Sequence, residues 1–310
     1  MSLDTMMPAA PLQRLDSHDE AQVIPSRLSG FIALTKPRIA VMVLMTVAVG
    51  FLLGARGSSL PTTFVLALLG TGLVASGASA WNQVIEKDRD AKMRRTARRP
   101  LPSGVLEPLE SAVFASVLGI TGVAILAFGT NTLAALVALA TFVLYVAVYT
   151  PLKPLTTLNT AVGAVPGALP PVIGWAAATG SVGIEAFTLF LIVFLWQFPH
   201  FLAIAWVHRD DYARGGHKML PIVDPDGILT ARQSVAHALV LVPAGLLPTV
   251  VGVAGGWYFA GALIAGLYYL AAAVRFWSDV NDTTARRLMA ASFVYLPLIL
   301  LLLLLNPMPA

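Results

Sequence analysis

Nine stretches of about twenty apolar residues, almost free of charged side chains, follow one another along this chain. Such a stretch is long enough to cross the roughly 30 Å hydrocarbon core of a bilayer as a helix. The stretches occupy positions 39–55, 61–85, 110–128, 131–149, 158–178, 185–207, 233–252, 256–274 and 288–305. Because they are continuous and do not alternate between apolar and polar residues, they predict helices and not barrel strands. We therefore expect an all-α, polytopic membrane protein with nine transmembrane helices in a single bundle.

The composition supports a membrane location. Hydrophobic residues make up 57% of the chain and charged residues 12%, which excludes an ordinary soluble domain. The chain has no cysteine, so it has no disulfide and no thiolate nucleophile. Its net charge of +4 does not indicate nucleic-acid binding, because topology and anionic lipid account for the basic side chains. The expected partner is the lipid bilayer.

Basic residues lie almost entirely in the loops of one side. Of the 20 Lys and Arg residues, only Arg56 falls in a loop of the other side. Loops rich in Lys and Arg face the cytoplasm, so we expect a cytoplasmic N-terminus and a C-terminus on the opposite side. Residues 1–30 are polar and lack a signal-like apolar core or an Arg-rich presequence. They predict a flexible cytoplasmic tail before a transmembrane domain at 31–310, in a bacterial inner membrane.

The first long cytoplasmic loop, at about 86–109, follows three oxygen-bearing side chains spaced four residues apart. Asn82, Glu86 and Asp90 would lie on one helix face at this spacing. Such oxygen ligands suit Mg²⁺, which commonly bridges carboxylates and substrate phosphates. Four arginines that can bind phosphate in a bidentate manner come next; they are Arg94, Arg95, Arg98 and Arg99. The alternative is a charge cluster that only fixes topology and binds lipid.

The second long loop, at about 208–232, repeats the combination of acidic and basic residues. Asp210 and Asp211 stand close to Arg214, His217 and Lys218. Its glycines and prolines are also compatible with an ordinary solvated turn. Together, the two loops predict two acidic arms that hold a diphosphate through Mg²⁺ at one end of the bundle.

Several polar or helix-breaking residues lie inside the fifth and sixth spans. Close helix packing accounts for most of the glycines and prolines. His200 needs a partner, because a buried imidazole is costly inside a membrane. Either a bound ligand or a hydrogen bond between helices would provide one.

These residues resemble the motifs of the membrane-intrinsic polyprenyltransferase superfamily, which transfers prenyl groups from prenyl diphosphates to ring acceptors. The first motif of that family has Asn, Asp and Asp at four-residue intervals, and this chain has Glu86 in the middle position. The sequences RTARRPLPSG at 95–104 and YTPLKPLTTLN at 149–159 are also similar to the family. Within the superfamily, the segments 167–175, 196–206 and 210–221 resemble the branch that farnesylates protohaem IX.

The resemblance implies an enzyme that transfers the farnesyl group of farnesyl diphosphate to a vinyl group of protohaem IX. Water would complete the hydroxyethylfarnesyl substituent of haem O, and a downstream enzyme would process this product. The implied ligands of Mg²⁺ are Asn82, Glu86 and Asp90 with Asp210 or Asp211. The implied diphosphate contacts are Arg95, Arg99, Tyr149, Lys153 and Lys218, and those to haem are His200 and His208. Position 207, where the second family motif would have Asp, is Val, so the choice between Asp210 and Asp211 stays open.

Three other functions are compatible with parts of the sequence. A related enzyme could prenylate a quinone precursor such as 4-hydroxybenzoate with the same Mg²⁺-diphosphate chemistry, although the segments around His200 and Asp211 argue against it. A transporter would also have broken spans, but it would leave the two acidic loops unexplained. A noncatalytic assembly scaffold predicts no dependence on prenyl diphosphate or Mg²⁺.

Overall fold

The protein is described by a computed structural model that covers residues 26–58 and 61–308. Within those ranges, nine helical segments are long and apolar enough to cross a membrane, which confirms the predicted all-α, nine-helix class. The segments are Arg27–Ala55, Pro61–Asp90, Pro108–Gly129, Thr132–Leu152, Asn159–Thr179, Ile184–Val207, Ile228–Val250, Gly256–Ser278 and Asp282–Leu305. Residues 1–25 of the expected cytoplasmic tail lie outside the described residues. The first helix already begins at Arg27, within the range assigned to that tail.

Several spans consist of more than one helical piece. In chain order, the helices are α1 (Arg27–Leu34), α2 (Pro37–Ala55), α3 (Pro61–Asp90), α4 (Pro108–Gly129), α5 (Thr132–Val143), a π-helical turn (Leu144–Tyr149), α6 (Thr150–Leu152), α7 (Asn159–Ala168), α8 (Pro170–Thr179), α9 (Ile184–Val207), α10 (Arg209–Arg214), α11 (Leu220–Val223), α12 (Ile228–Val250), α13 (Gly256–Ser278) and α14 (Asp282–Leu305).

Prolines follow the interruptions in the spans. Lys36 separates α1 from α2 with a left-handed backbone, at φ +49°, and Pro37 begins α2. The π-helical turn precedes Pro151, which has no N–H and whose ring cannot accommodate the carbonyl one turn earlier. Pro170 divides the fifth span into α7 and α8 in the same way. The first two breaks place Lys36 and Tyr149 at the end of the bundle that carries the long loops.

Small residues bring neighbouring spans into close contact. A Cβ atom built on Gly122 in α4 would lie 2.6 Å from the carbonyl oxygen of Gly70 in α3. A Cβ atom on Gly50 in α2 would overlap the carbonyl oxygen of Pro171, and one on Gly174 in α8 would overlap that of Val47. Apolar burial alone does not associate helices in lipid, so this close backbone contact contributes the dispersion energy that does.

The buried apolar side chains form two large clusters. One joins α9, α12, α13 and α14 to α2 and the fifth span, and the other joins α2, α3, α4, α5 and α8. Because α2 and α8 belong to both clusters, they are the seam between the two halves of the bundle. A smaller cluster around Leu34, Leu101 and Leu106 packs α1 and the first long loop against α3.

Candidate functional site

The last turns of α3 carry the predicted first acidic motif. The helix continues to Asp90, five residues beyond the predicted end of the span at 85, so Asn82, Glu86 and Asp90 all lie on one helix. Their side chains are 1%, 4% and 0% exposed, respectively. Carboxylates are rarely buried unless they are paired, so the partners of these groups determine what the site can bind.

Each of the three side chains contacts a different cation. Lys36 Nζ donates to Asn82 Oδ1 at 3.1 Å. Lys153 Nζ lies 2.8 Å from Glu86 Oε1 and donates to Oε2 at 3.0 Å. Arg99 Nη1 donates to Asp90 Oδ2 at 2.7 Å. Segments that are far apart in sequence therefore bring three positive charges to one helix face.

Lys36 is a site residue that the sequence analysis missed. It stands at the start of the first span, where a lysine is typical of the positive-inside pattern. Its contact with Asn82 instead turns its ammonium group into the bundle. Asn82 Nδ2 in turn donates to Thr150 Oγ1 at 3.2 Å, so the amide joins the first, second and fourth spans. Nothing in the sequence beside Lys36 distinguishes it from a lysine that only fixes topology.

Two carboxylate oxygens fit a metal ion. Glu86 Oε1 and Asp90 Oδ1 are buried and have no hydrogen-bond partner among the described residues; the 2.8 Å approach of Lys153 to Oε1 is an ion contact without hydrogen-bond geometry. Buried carboxylate oxygens one helical turn apart are suitable ligands for Mg²⁺, and of the two only Glu86 Oε1 already contacts a cation. The described residues contain no cluster of three His, Asp or Glu side chains that could hold a metal ion. The predicted ligand set is therefore only partly brought together.

The second long loop lies against the first. The backbone amide of Arg94 donates to Asp211 Oδ1 at 3.1 Å, and the Arg214 guanidinium pairs with the same oxygen. Although partial burial opposes it, these hydrogen bonds lower the pKa of Asp211. Asp210 is exposed. Of the two candidates, Asp211 is the one that the structure connects to the first loop.

Contacts from both long loops hold Lys153 in place. Burial acts to lower its pKa, but the adjacent Glu86 carboxylate raises the pKa above the ordinary lysine value. The ammonium group lies 4.7 Å from the centre of the Tyr149 ring, as expected if both residues face one ligand. The carbonyl oxygen of Lys153 accepts a hydrogen bond from the Lys218 amide at 2.7 Å. The side chain of Lys218 is exposed, and only its backbone belongs to the connection.

The remaining predicted residues divide into two groups. Arg95 lies over the Tyr212 ring and donates to its hydroxyl at 3.3 Å. It is therefore at the same end of the bundle, but its hydrogen-bond partner is Tyr212 and not Glu86 or Asp90. His208 is also close to this end, where burial and the nearby Arg95 charge lower its pKa. His200 is separate from the acidic motif: it stacks on Trp196 and its Nδ1 lies 2.7 Å from Ser292 Oγ. The partner of His200 in the structure is therefore Ser292, through a hydrogen bond between helices.

His217 is a second residue that the sequence analysis did not assign to the site. It is 3% exposed, and its Nδ1 atom is buried without a partner among the described residues. Burial lowers the pKa of His217 to about 4, against the opposing effect of the Glu86 charge. The sequence around it contains two turn-forming glycines, which gave no sign that this side chain is buried.

Two cavities lie away from the acidic motif. One, of about 330 Å³, is lined by Arg56, Trp175 and Met308 at the other end of the bundle. The second, of about 380 Å³, is a groove between α2 and α3 that reaches from Val65 to Ala40 and Ser76. Two buried carboxylates next to three basic side chains can bind a divalent cation together with a polyanion.

Comparison with known proteins agrees with this description. Residues 43–299 match the UbiA prenyltransferase family. The chain is 45% identical to a protoheme IX farnesyltransferase of Solibacter usitatus, over 89% of this chain and 98% of that protein. It is 43% identical to a protoheme IX farnesyltransferase of Koribacter versatilis, over 91% of this chain and 94% of that protein.

Solved structures share the fold at low sequence identity. A digeranylgeranylglyceryl phosphate synthase has a TM-score of 0.77 at 17% identity, covering 90% of this chain and 98% of its own. A UbiA homologue from Archaeoglobus fulgidus, bound to GPP and Mg²⁺, has a TM-score of 0.63 at 16% identity, covering 88% of this chain and 99% of its own. At this level of identity, the likeness concerns the fold alone.

Proposed function

The chain belongs to the UbiA prenyltransferase family, and from this membership we propose that it transfers the farnesyl group of farnesyl diphosphate to a vinyl group of protohaem IX. Water completes the substituent, and the product is haem O. The observation that carries the choice of acceptor is the 45% identity to a protoheme IX farnesyltransferase over almost the full length of both proteins. The paired charges at the end of α3 support the diphosphate donor.

The diphosphate binds where the three cations meet. Lys36, Lys153 and Arg99 are held by the side chains of α3, so these basic side chains are in place before the substrate arrives, and Lys153 and Arg99 are paired with carboxylates. Fixed charges need little reorganisation during the reaction, which makes them effective in stabilising a transition state. Tyr149 and Arg95 border the same space, with Tyr149 next to the Lys153 ammonium group.

Asn82, Glu86 and Asp90 hold Mg²⁺ from α3, and Asp211 contributes from the second loop. When bound, the ion withdraws negative charge from the departing diphosphate. The support for this assignment is the buried Asp90 Oδ1, which has no hydrogen-bond partner among the described residues, one helical turn from the Glu86 carboxylate. Asp211 is preferred to Asp210 because it contacts the first loop through Arg94.

Transfer requires no nucleophile from the protein. As the bond between the farnesyl carbon and the diphosphate oxygen lengthens, positive charge grows on the allylic carbon and negative charge on the leaving group. Lys153 and Arg99 favour this separation because they stand on the leaving-group side. The vinyl group of the acceptor supplies the electron pair of the new carbon–carbon bond. Water has to be excluded until then, which the buried position of the site favours.

The apolar groove between α2 and α3 offers a path for the isoprenoid tail. It ends at Ala40 and Ser76, which lie four residues after Lys36 and six residues before Asn82. Val65 and Leu69 line it toward the other side of the membrane and are exposed. A farnesyl chain can therefore lie in the groove while its diphosphate is at the cation cluster.

His200 is a candidate contact for the haem. Ser292 Oγ donates to the carbonyl of Met289 at 2.5 Å, so its hydroxyl proton is already used and His200 Nδ1 must be the donor to Ser292. This fixes the tautomer in which Nε2 carries a free lone pair. Such a nitrogen is able to bind haem iron. His200→Gln should weaken haem binding without changing farnesyl diphosphate binding, as titrations with each substrate would measure.

The cation cluster faces the cytoplasm of a bacterial inner membrane in this proposal. The support is the placement of all but one of the 20 Lys and Arg residues in the loops of one side. The product carries a farnesyl chain, so it leaves into the bilayer, where a downstream enzyme that processes haem O receives it.

A reconstitution experiment tests the proposal. The purified protein in lipid nanodiscs is incubated with haem b, farnesyl diphosphate and Mg²⁺, and the porphyrin products are weighed by mass spectrometry. We expect haem O in the complete reaction and none after chelation of Mg²⁺. Replacement of haem by 4-hydroxybenzoate should give no prenylated product. Farnesylated hydroxybenzoate, with unchanged haem, would contradict the proposed acceptor.

A further inference from the structure

His217 is placed inside the site by a tight turn. Gly216 has a φ of +70°, a conformation that glycine adopts without strain. The amide of His217 then donates to the carbonyl of Tyr212 at 3.0 Å, and the rings of these two residues meet edge to face at 5.9 Å. The turn folds the imidazole back under α10, away from solvent.

The residues next to His217 are held against the fourth and fifth spans. The Lys218 amide donates to the Lys153 carbonyl at 2.7 Å, and Asn159 Nδ2 donates to the Lys218 carbonyl at 2.9 Å. Asn159 is itself fully buried and also donates to the carbonyl of Thr156 at 2.6 Å. These bonds hold the backbone next to His217 against the backbone of Lys153, whose side chain pairs with Glu86.

The imidazole is in a state that can take up a proton. The charges that act on it are those of Glu86, Lys153, Arg89 and Arg95. Burial lowers its pKa to about 4, so the ring is neutral at pH 7. Nδ1 forms no hydrogen bond with the described residues. A buried neutral imidazole without a protein partner is costly in structural terms, which points to a partner that arrives with the substrates.

The proposed reaction requires a proton acceptor. The bond from the farnesyl carbon to oxygen breaks, and its electron pair stays on the diphosphate. The vinyl π pair forms the new carbon–carbon bond and leaves a cation on the vinyl carbon next to the porphyrin ring. A lone pair of water forms the carbon–oxygen bond there, and one proton must leave that water molecule. This carbon is two bonds away from the one that held the diphosphate, so the proton is released close to the cation cluster.

We propose that His217 accepts this proton and thereby directs the reaction to the hydroxylated product. The inference rests on the proposed function. When His217 is absent, the released diphosphate instead takes a proton from the carbon next to the cationic centre, and the product is an alkene that is one water molecule lighter than haem O. His217 thus governs the product and not the departure of the diphosphate. The main rival is the released diphosphate, which could itself take the proton.

The ratio of the two products tests the inference. His217→Gln keeps a polar side chain of similar size but cannot act as a base. In the reconstituted reaction, released diphosphate, haem O and the lighter alkene are measured together. Because general bases contribute about 10²–10⁴-fold to rates, we expect haem O formed per diphosphate released to fall about 100-fold, with the alkene as the main product. The control, His237→Gln, changes a histidine in the seventh span that lies outside the site.

A second variant distinguishes loss of the base from a folding defect. His217→Gly leaves space for free imidazole, which should restore the hydroxylated product. Two results would overturn the role of His217 and favour diphosphate as the base. In the first, the variant forms only haem O. In the second, a folded variant loses diphosphate release and haem O formation in parallel. Failure of the proposed function is distinct, because the wild-type protein would then form no farnesylated haem.

Discussion

The amide nitrogen of Arg94 and Oδ1 of Asp211 lie 3.1 Å apart, although 117 residues separate them in sequence. This hydrogen bond joins the first long loop to the second, and therefore one half of the bundle to the other. Asp211 also pairs with Arg214, so it accepts hydrogen bonds from both loops. A carboxylate that joins the two loops is well placed to hold them around a diphosphate.

We expect the Arg94-Asp211 bond to protect the first loop from proteolysis. Asp211→Ala removes the acceptor, so the arginines of the first loop should be cut by trypsin about tenfold faster, the size expected for loss of a hydrogen bond to a charged group. The digest of protein in nanodiscs, followed by mass spectrometry, measures the rate. Asp210→Ala is the matched control, because Asp210 is exposed. Equal cleavage rates in the two variants would show that the loops do not depend on Asp211.

The pair of Lys153 and Glu86 should contribute to stability and activity in separable ways. Lys153→Met leaves a buried carboxylate without its cation, which we expect to cost about 3 kcal/mol in the free energy of unfolding. The double variant Lys153→Met with Glu86→Gln removes both charges and should recover most of that loss. Neither protein should form haem O, because both lack a cation for the diphosphate. Thermal unfolding in detergent and the product assay measure the two effects; a double variant no more stable than the single one would contradict the pairing.

Asp90 should be essential for the reaction but not for insertion. Asp90→Asn keeps the shape of the side chain and can still accept from Arg99, but it loses the charge that binds Mg²⁺. We expect turnover to fall about 100-fold or more, with normal amounts of protein in the membrane. Immunoblotting of membranes and the mass assay are the measurements. Near-normal turnover by the inserted variant would remove Asp90 from the metal site.

Acid should destabilise the protein through His217. Its pKa is about 4 in the folded state and about 6.5 in an unfolded chain. Between these values the unfolded state binds more protons, so stability falls as the pH decreases from about 6.5 to 4. The loss attributable to this residue is at most about 3 kcal/mol. The difference in unfolding temperature between pH 8 and pH 5 should be smaller for His217→Asn than for the wild type; an equal difference would count against a neutral, buried imidazole.

Local patterns predicted the spans and the acidic helix face. Transmembrane helices depend on hydrophobic length, which is a property of consecutive residues, and Asn82, Glu86 and Asp90 share a face because of the four-residue repeat. The second span was predicted at 61–85, and in the structure α3 runs from Pro61 to Asp90. The acidic motif therefore lies on the same helix as the span, where Lys153 and Arg99 pair with its carboxylates.

The partners of the acidic motif could not be predicted in the same way. Lys36 and Lys153 lie 46 and 67 residues from the α3 side chains that they contact, and such pairs follow from the packing of the bundle. A lysine beside an apolar span has the same sequence pattern whether it faces water or a buried amide. The burial of His217 could not be predicted either, because it depends on a backbone turn at Gly216 and on contacts with the fifth span.

Gly163 provides the space for the Tyr149 ring, and its substitution tests whether that ring belongs to the site. A Cβ atom at position 163 would lie 2.5 Å from Cε2 and 2.6 Å from Cδ2 of Tyr149, so Gly163→Ala must displace the ring from Lys153. We expect a rise of about tenfold in the KM for farnesyl diphosphate, from the loss of one aromatic contact beside the ligand, with little change in the KM for haem. Gly256→Ala is the control, since a Cβ atom there meets no neighbour within 4 Å. If Gly163→Ala raises both KM values equally, the ring supports the bundle in general and does not contact the diphosphate.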